Sequence, residues 1–232
     1  MEIKKLAAAL GLAGGLLLAA GQAQAVPTLI VDDFNVSATT IITDSSPGDG
    51  AVTGAGSTGG TVWGSRTLSV DLLSGDSATT ENCSNCLAGH VTAAAGVTAS
   101  VANYAFFWNN GTPTDLSGYT SFVFDWGADL AGASWYADFE DGSGNLGNSS
   151  TVTGLPATPG PGSLTHTASV GLGTVGGGVD FTDIVQISLH INGVGALDGN
   201  IDNVRLVPEP GALALMGLGL AGMAGWRRRR TG

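Results

Sequence analysis

Positive charge is what this sequence lacks. Only Arg66 and Arg205 stand between Val26 and Val207, against seventeen Asp and Glu, and that stretch carries a formal charge of −15. Neutralising a phosphate backbone takes clustered Lys and Arg, so nucleic acid is excluded as a partner. Cysteine is nearly absent as well: Cys83 and Cys86, in ENCSNCLAGH, are the whole supply. Two thiols do not fill a four-ligand zinc site, Leu87 stands where haem attachment needs His, and the βαβ context of a redox pair is missing. There is no G-x-S-x-G nucleophile elbow. The three histidines, His90, His166 and His190, are scattered, and no acidic loop has EF-hand spacing.

The ends of the chain hold the other six basic residues. Lys4 and Lys5 precede an apolar run from Leu6 to Ala20 and then Ala23-Gln24-Ala25. This is the pattern of a secretory signal peptide, with cleavage after Ala25 and a mature chain starting at Val26. Export places the thiols in an oxidising compartment, where a small Cys83–Cys86 disulfide is expected.

At the other end, Val207-Pro208-Glu209-Pro210 leads into Gly211–Trp226, a stretch without charge, and then Arg227, Arg228, Arg229 and Arg230. As a helix that stretch spans about 24 Å at 1.5 Å per residue, a marginal membrane span. Trp226 at an interface and the arginines on the cytoplasmic side would orient it with the domain outside. Pro208 and Pro210 keep such a helix from extending backwards.

These three parts resemble the PEP-CTERM sorting signal of bacterial exported proteins. The resemblance implies recognition of Pro208, Glu209 and Pro210 by an exosortase-type processing enzyme. It also implies a Gram-negative cell envelope or extracellular matrix as the destination, with at least transient membrane anchoring.

Between the ends, roughly 180 residues fit one domain. Helix signals are nearly absent, and short alternating runs recur. RTLSVDLL puts Leu68, Val70 and Leu72 on one face. SFVFDW does the same with Phe122, Phe124 and Trp126, WYADFE with Trp135, Ala137 and Phe139, and DIVQISLHIN with Val185, Ile187, Leu189 and Ile191. A period of two with one polar face predicts an all-β antiparallel sandwich over 26–207. Thr43–Gly60 and Thr153–Thr165, rich in Gly, Pro, Ser and Thr, read as surface loops. A hairpin pairing Phe122–Trp126 with Trp135–Phe139 would place Asp125, Tyr136, Asp138 and Glu140 on one polar face.

LIVDDFN at the start, DLSGYTSFVFDW in the middle and DGNIDNVRLV at the end are similar to segments of galactose-binding-type jelly rolls, the fold of many carbohydrate-binding modules. The resemblance implies that Asp33 and Asp202 share a structural calcium ion with backbone carbonyls. WGSRTLSV resembles a segment recurring in exported PEP-CTERM proteins.

For ligand binding, an aromatic ring beside carboxylates suits sugars, which offer an apolar face and hydroxyls. Tyr136 and Asp138 fit that pattern. Trp63 and Trp108 border loop sequence and are expected to form an exposed platform. Asp138 and Glu140, two apart on one strand, are the only pair singled out for glycoside hydrolysis, and Arg66 and Arg205 are expected to pair with carboxylates. The expected function is a non-catalytic structural or adhesive protein that associates with extracellular polysaccharide. The alternatives are a calcium-dependent carbohydrate-binding module and a polysaccharide-degrading enzyme.

Overall fold

The computed structural model describes residues 26–35, 39–56, 62–83, 88–93, 99–160 and 162–208. Within them the chain forms thirteen strands: β1 (Leu29–Asp32), β2 (Thr40–Asp44), β3 (Val52–Ala55), β4 (Ser65–Ser74), β5 (Ala78–Cys83), β6 (Ala88–Ala93), β7 (Val101–Thr114), β8 (Tyr119–Ala128), β9 (Ser134–Asp141), β10 (Leu146–Asn148), β11 (His166–Gly171), β12 (Ile184–Asn192) and β13 (Asp198–Pro208). One 3-10 turn, Leu172–Thr174, interrupts them. The signal-cleavage residues Ala23 and Ala25, the Cys83–Cys86 disulfide, Glu209, Pro210, the 211–226 span and Arg227–Arg230 lie outside what is described. No helix among the described residues is long and apolar enough to cross a membrane.

The strands make two antiparallel sheets, as the alternation predicts. One is ordered β10-β9-β12-β7-β4-β3; the other runs β11-β8-β13-β6-β5-β2, with β1 also paired to β13. Sequence neighbours often sit in different sheets, the mark of a jelly-roll-like sandwich. The predicted hairpin of Phe122–Trp126 with Trp135–Phe139 is one such case and does not form. β8 and β9 face each other across the core, with the Phe124 and Trp135 rings edge to face at 4.7 Å and those of Phe122 and Phe139 at 6.2 Å. Alternation tells which side chains turn inward; it does not tell whether two apolar faces lie side by side or face to face. Asp125 therefore sits on the outside of one sheet, and Tyr136, Asp138 and Glu140 on the outside of the other.

The core takes Leu68, Val70, Leu72, Phe122, Phe124, Trp126, Trp135, Ala137, Phe139, Ile187, Leu189 and Ile191, all buried. The two stretches read as loops are partly built in. Thr43 and Asp44 close β2, and Val52–Ala55 pair with β4 as β3. Leu155 is buried and exchanges backbone hydrogen bonds with Gly132 and Ala133.

Trp63 and Trp108 do not form an exposed platform: they are 8% and 0% exposed and belong to the core. Trp108 continues the inward series Tyr104, Phe106 along β7, and its indole N–H donates to Asp32 at 2.6 Å. Asp32 also accepts from Nε and a terminal nitrogen of Arg66 and from the Phe34 backbone N–H. The guanidinium lies 5.0 Å from the centre of the buried Phe34 ring. A buried carboxylate is tolerable only when paired and hydrogen-bonded, and here every partner is supplied. This cluster explains WGSR and VDDF together. Gly64 adopts φ +79, and a Cβ there would come 2.2 Å from the Asn109 carbonyl oxygen, so the turn that delivers Arg66 into the core requires glycine. Phe34 holds the left-handed φ of 48, unusual for a bulky residue, tied down by Asp32.

Candidate functional site

The open face of the six-stranded sheet can be read as a grid from its register. Across the strands, one row is Ser134, Asn192, Asn103, Asp71; the next is Tyr136, His190, Ala105, Ser69; the third is Asp138, Ser188, Phe107, Thr67; the fourth is Glu140, Gln186, Asn109, Ser65. These are the outward positions of strands whose alternate residues fill the core, and they are polar except at Ala105, Phe107 and Tyr136.

At the centre, the His190 imidazole stacks on the Tyr136 ring with centroids 4.6 Å apart and planes 1° from parallel. Phe107 meets the same imidazole edge to face at 5.6 Å. His190 Nε2 lies 3.0 Å from Asp138 Oδ2, off the line a hydrogen bond requires, and Asp138 Oδ1 is buried with no partner. Burial and the Asp138 charge both push the Tyr136 hydroxyl above its usual pKa, burial the more.

Beside this ring pair the methyl of Ala105 is the only side chain at its position, and the missing bulk leaves a groove of about 250 Å³. Ser69, Asp71, Asn103, Phe107, His190 and Asn192 are among its lining. The groove thus offers aromatic surface on one side and short hydroxyl, amide and carboxylate groups on the other. Tyr136, which lines the groove, and Asp138, which contacts His190 without lining it, are legible from alternation. Ala105, Phe107 and His190 were not singled out, although NYAFFW carries the signal: if Tyr104, Phe106 and Trp108 point inward, Ala105 and Phe107 must point out.

The remaining expected site residues lie elsewhere. Asp33 follows the end of β1, and Asp202 lies on β13 of the other sheet, opposite Asp125. The Asn203 side-chain amide donates to both Asp125 and Asp202, at 3.1 and 3.2 Å, and Arg205 donates to Asp125 at 3.3 Å. Asp202 is held up to about 6 from an ordinary 3.8; burial is the largest cause, the Asn203 N–H opposes it, and the charges of Asp125, Asp33 and Asp32 add to it. Among the described residues no three His, Cys, Asp or Glu converge as a metal cluster. Arg66 and Arg205 both pair with carboxylates, as expected. His166 sits on β11, away from the grid.

The raised pKa makes a prediction. The folded state binds the Asp202 proton more tightly than the unfolded state, so unfolding releases it between pH 4 and 6. Stability should fall as pH rises through that window and level off above 6. Asp202→Asn should flatten that slope and raise the Tm at pH 7.5, and an unchanged profile in thermal melts would refute the assignment.

Similarity to known proteins bears on the tail and on the fold. Residues 206–230 match the PEP-CTERM protein-sorting motif. The match indicates an exported protein with a C-terminal sorting signal, and it implies processing by an exosortase. No match was found among curated proteins. Among solved structures, the chain is similar to the family 11 carbohydrate-binding module of the cellulosomal cellulase Lic26A-Cel5E of Clostridium thermocellum, at 14% identity and TM-score 0.43, covering 80% of this chain and 96% of that one. It is similar to the family 30 module of cellulosomal Cel9D-Cel44B of Clostridium thermocellum at 14% identity and TM-score 0.40, covering 78% and 98%. An exo-β-agarase matches at 13% identity and TM-score 0.41, covering 78% of this chain and 25% of that chain.

Proposed function

We propose that this chain is a non-catalytic polysaccharide-binding protein of the cell envelope or extracellular matrix, exported by a signal peptide ending at Ala25 and sorted by its C-terminal tail in a Gram-negative bacterium. Its domain, over 26–207, has an adhesive or structural role, and the 211–226 segment anchors it to the membrane at least until processing. The observation that carries the binding reading is the groove over Ala105, where the Tyr136-braced His190 ring and Phe107 face Ser69, Asp71, Asn103 and Asn192. A pyranose ring presents CH groups to the aromatic side and hydroxyls to the polar side. A ligand hydroxyl at His190 would also complete a pair short of hydrogen bonds.

The face is poorly arranged for hydrolysis. Glycosidases place two carboxyl groups on either side of the scissile bond. Asp138 and Glu140 stand side by side on β9, about 7 Å apart along one strand. Asp71 is three strands and two rows away from Asp138, on the order of 19 Å at ordinary strand spacings.

The test is a polysaccharide array probed with residues 26–207, with product release followed in the same wells. Saturable retention without oligosaccharide release is the expected result; released oligosaccharides would overturn the non-catalytic reading, and no retention would overturn the binding one. A calcium ion held by Asp33 and Asp202 is the second reading, favoured by the negative charges of Asp125, Asp33 and Asp32 that act on the half-buried Asp202. It predicts that about 1 mM calcium chloride raises the Tm of the wild type and not of Asp202→Asn. Equal responses would dispose of it.

A further inference from the structure

The sorting motif begins at Leu206, and the last strand ends at Pro208. The two overlap, and the overlap lies in the interior of a sheet. Leu206 is fully buried and paired on one side with Leu29 of β1 and on the other with Phe122 of β8. Val207 is paired with Ser121 and Pro208 with Tyr119, both partly buried, and the Thr120 hydroxyl donates to the Val207 carbonyl at 3.4 Å. The register shifts between Val207 and Pro208. A proline can occupy only the end of such a ladder, because it has no N–H to donate. Pro208 is thus both the last residue of β13 and the first of Pro-Glu-Pro.

A peptide-cleaving enzyme takes its substrate as an extended segment with free backbone edges. Leu206, paired on both sides, offers no such edge, and Val207 and Pro208 are held along β8, so a cut before Pro208 requires β13 to be peeled from its neighbours and Leu206 brought into water. We propose that the head of the sorting motif, Leu206 to Pro208, serves the fold, and that the processing enzyme cuts on the C-terminal side of Pro208, the folded sheet setting the boundary. The peptide bond that breaks passes its acyl carbon to water or a primary amine, and its nitrogen leaves on the tail as a new α-amino group. The mature chain then keeps β13 whole. This inference rests on the sorting reading and is independent of what the groove binds.

The experiment is intact-mass measurement of the full-length chain after expression in a host that carries an exosortase, for the wild type and for Leu206→Val. The expected mature wild type ends at Pro208 or later. Leu206→Val should melt several degrees lower yet be cut at the same bond, because the substitution loosens the strand without touching what the enzyme reads. A mature chain ending before Pro208 would overturn the proposal. So would a Leu206→Val chain cut at a different bond with an unchanged Tm. A wild type that keeps its tail would overturn the sorting reading itself, and the proposal with it.

Discussion

Asp32→Ala should unfold at a temperature lower by roughly 10 °C or more. The substitution leaves the Arg66 guanidinium, the Trp108 indole N–H and the Phe34 N–H buried without their acceptor. Breaking a buried pair by removing one partner costs about 3–5 kcal/mol, and a domain of this size loses a few degrees per kcal/mol. Arg66→Lys should recover little, since an ammonium cannot reproduce the two-pronged contact of the guanidinium. Asp115→Ala is the control: its carboxylate caps its own turn through the Ser117 N–H and hydroxyl at the surface, and its loss should be small. The Asp32→Ala, Arg66→Met double variant should be less damaged than the sum of the singles, because no charge is stranded in it. Thermal unfolding followed by circular dichroism at neutral pH checks all four, and equal melting for Asp32→Ala and Asp115→Ala would refute the cluster's role.

That cluster also marks how far the sequence could be read. Alternation identified the inward side chains of β4, β8, β9 and β12 because each strand has one dry and one wet face, and dryness is written residue by residue. Pairing is not written that way. β8 and β9 carry the same apolar pattern whether they lie edge to edge or face to face, and the connection over 129–133 was short enough for either. The two tryptophans misled for a related reason. Trp63 and Trp108 neighbour glycines, asparagines and threonines that belong to turns, and those neighbours suggested exposure, whereas the parity of Tyr104, Phe106 and Trp108 along β7 gives burial. Asp33 stands out in VDDF only through the jelly-roll resemblance, while Asp32, turned inward, holds the buried cluster. An excess of acids over two arginines meant that each arginine would find a carboxylate; which carboxylate depended on a strand pairing that no local pattern encodes. The groove was half legible: Tyr136 and Asp138 came from parity on β9, but their partners His190 and Phe107 arrive from β12 and β7.

Ala105→Leu should reduce affinity for any polysaccharide retained on the array at least ~10-fold while leaving the Tm within a few degrees. The side chain stands on the open face between His190 and Ser69, so added methylenes enter the groove instead of the core. Leucine is also no worse than alanine for a central strand. Occupying the space that a sugar ring would fill forfeits the contacts on both walls, and each 1.4 kcal/mol so lost is a factor of ten. His190→Ala removes one wall and also frees Tyr136 from its stacking partner, and it should weaken binding comparably. The melt should also fall, because the imidazole is only 20% exposed and its loss strips Asp138 of its partner, so the affinity is read well below the Tm. Glu140→Gln, on the far row and outside the groove, should bind as the wild type does. These three variants separate the possible uses of the face. If Glu140→Gln loses binding and Ala105→Leu retains it, the ligand lies over the β9–β10 side of the sheet and the groove is not the site. If all three bind alike, the open face is only a solvated surface.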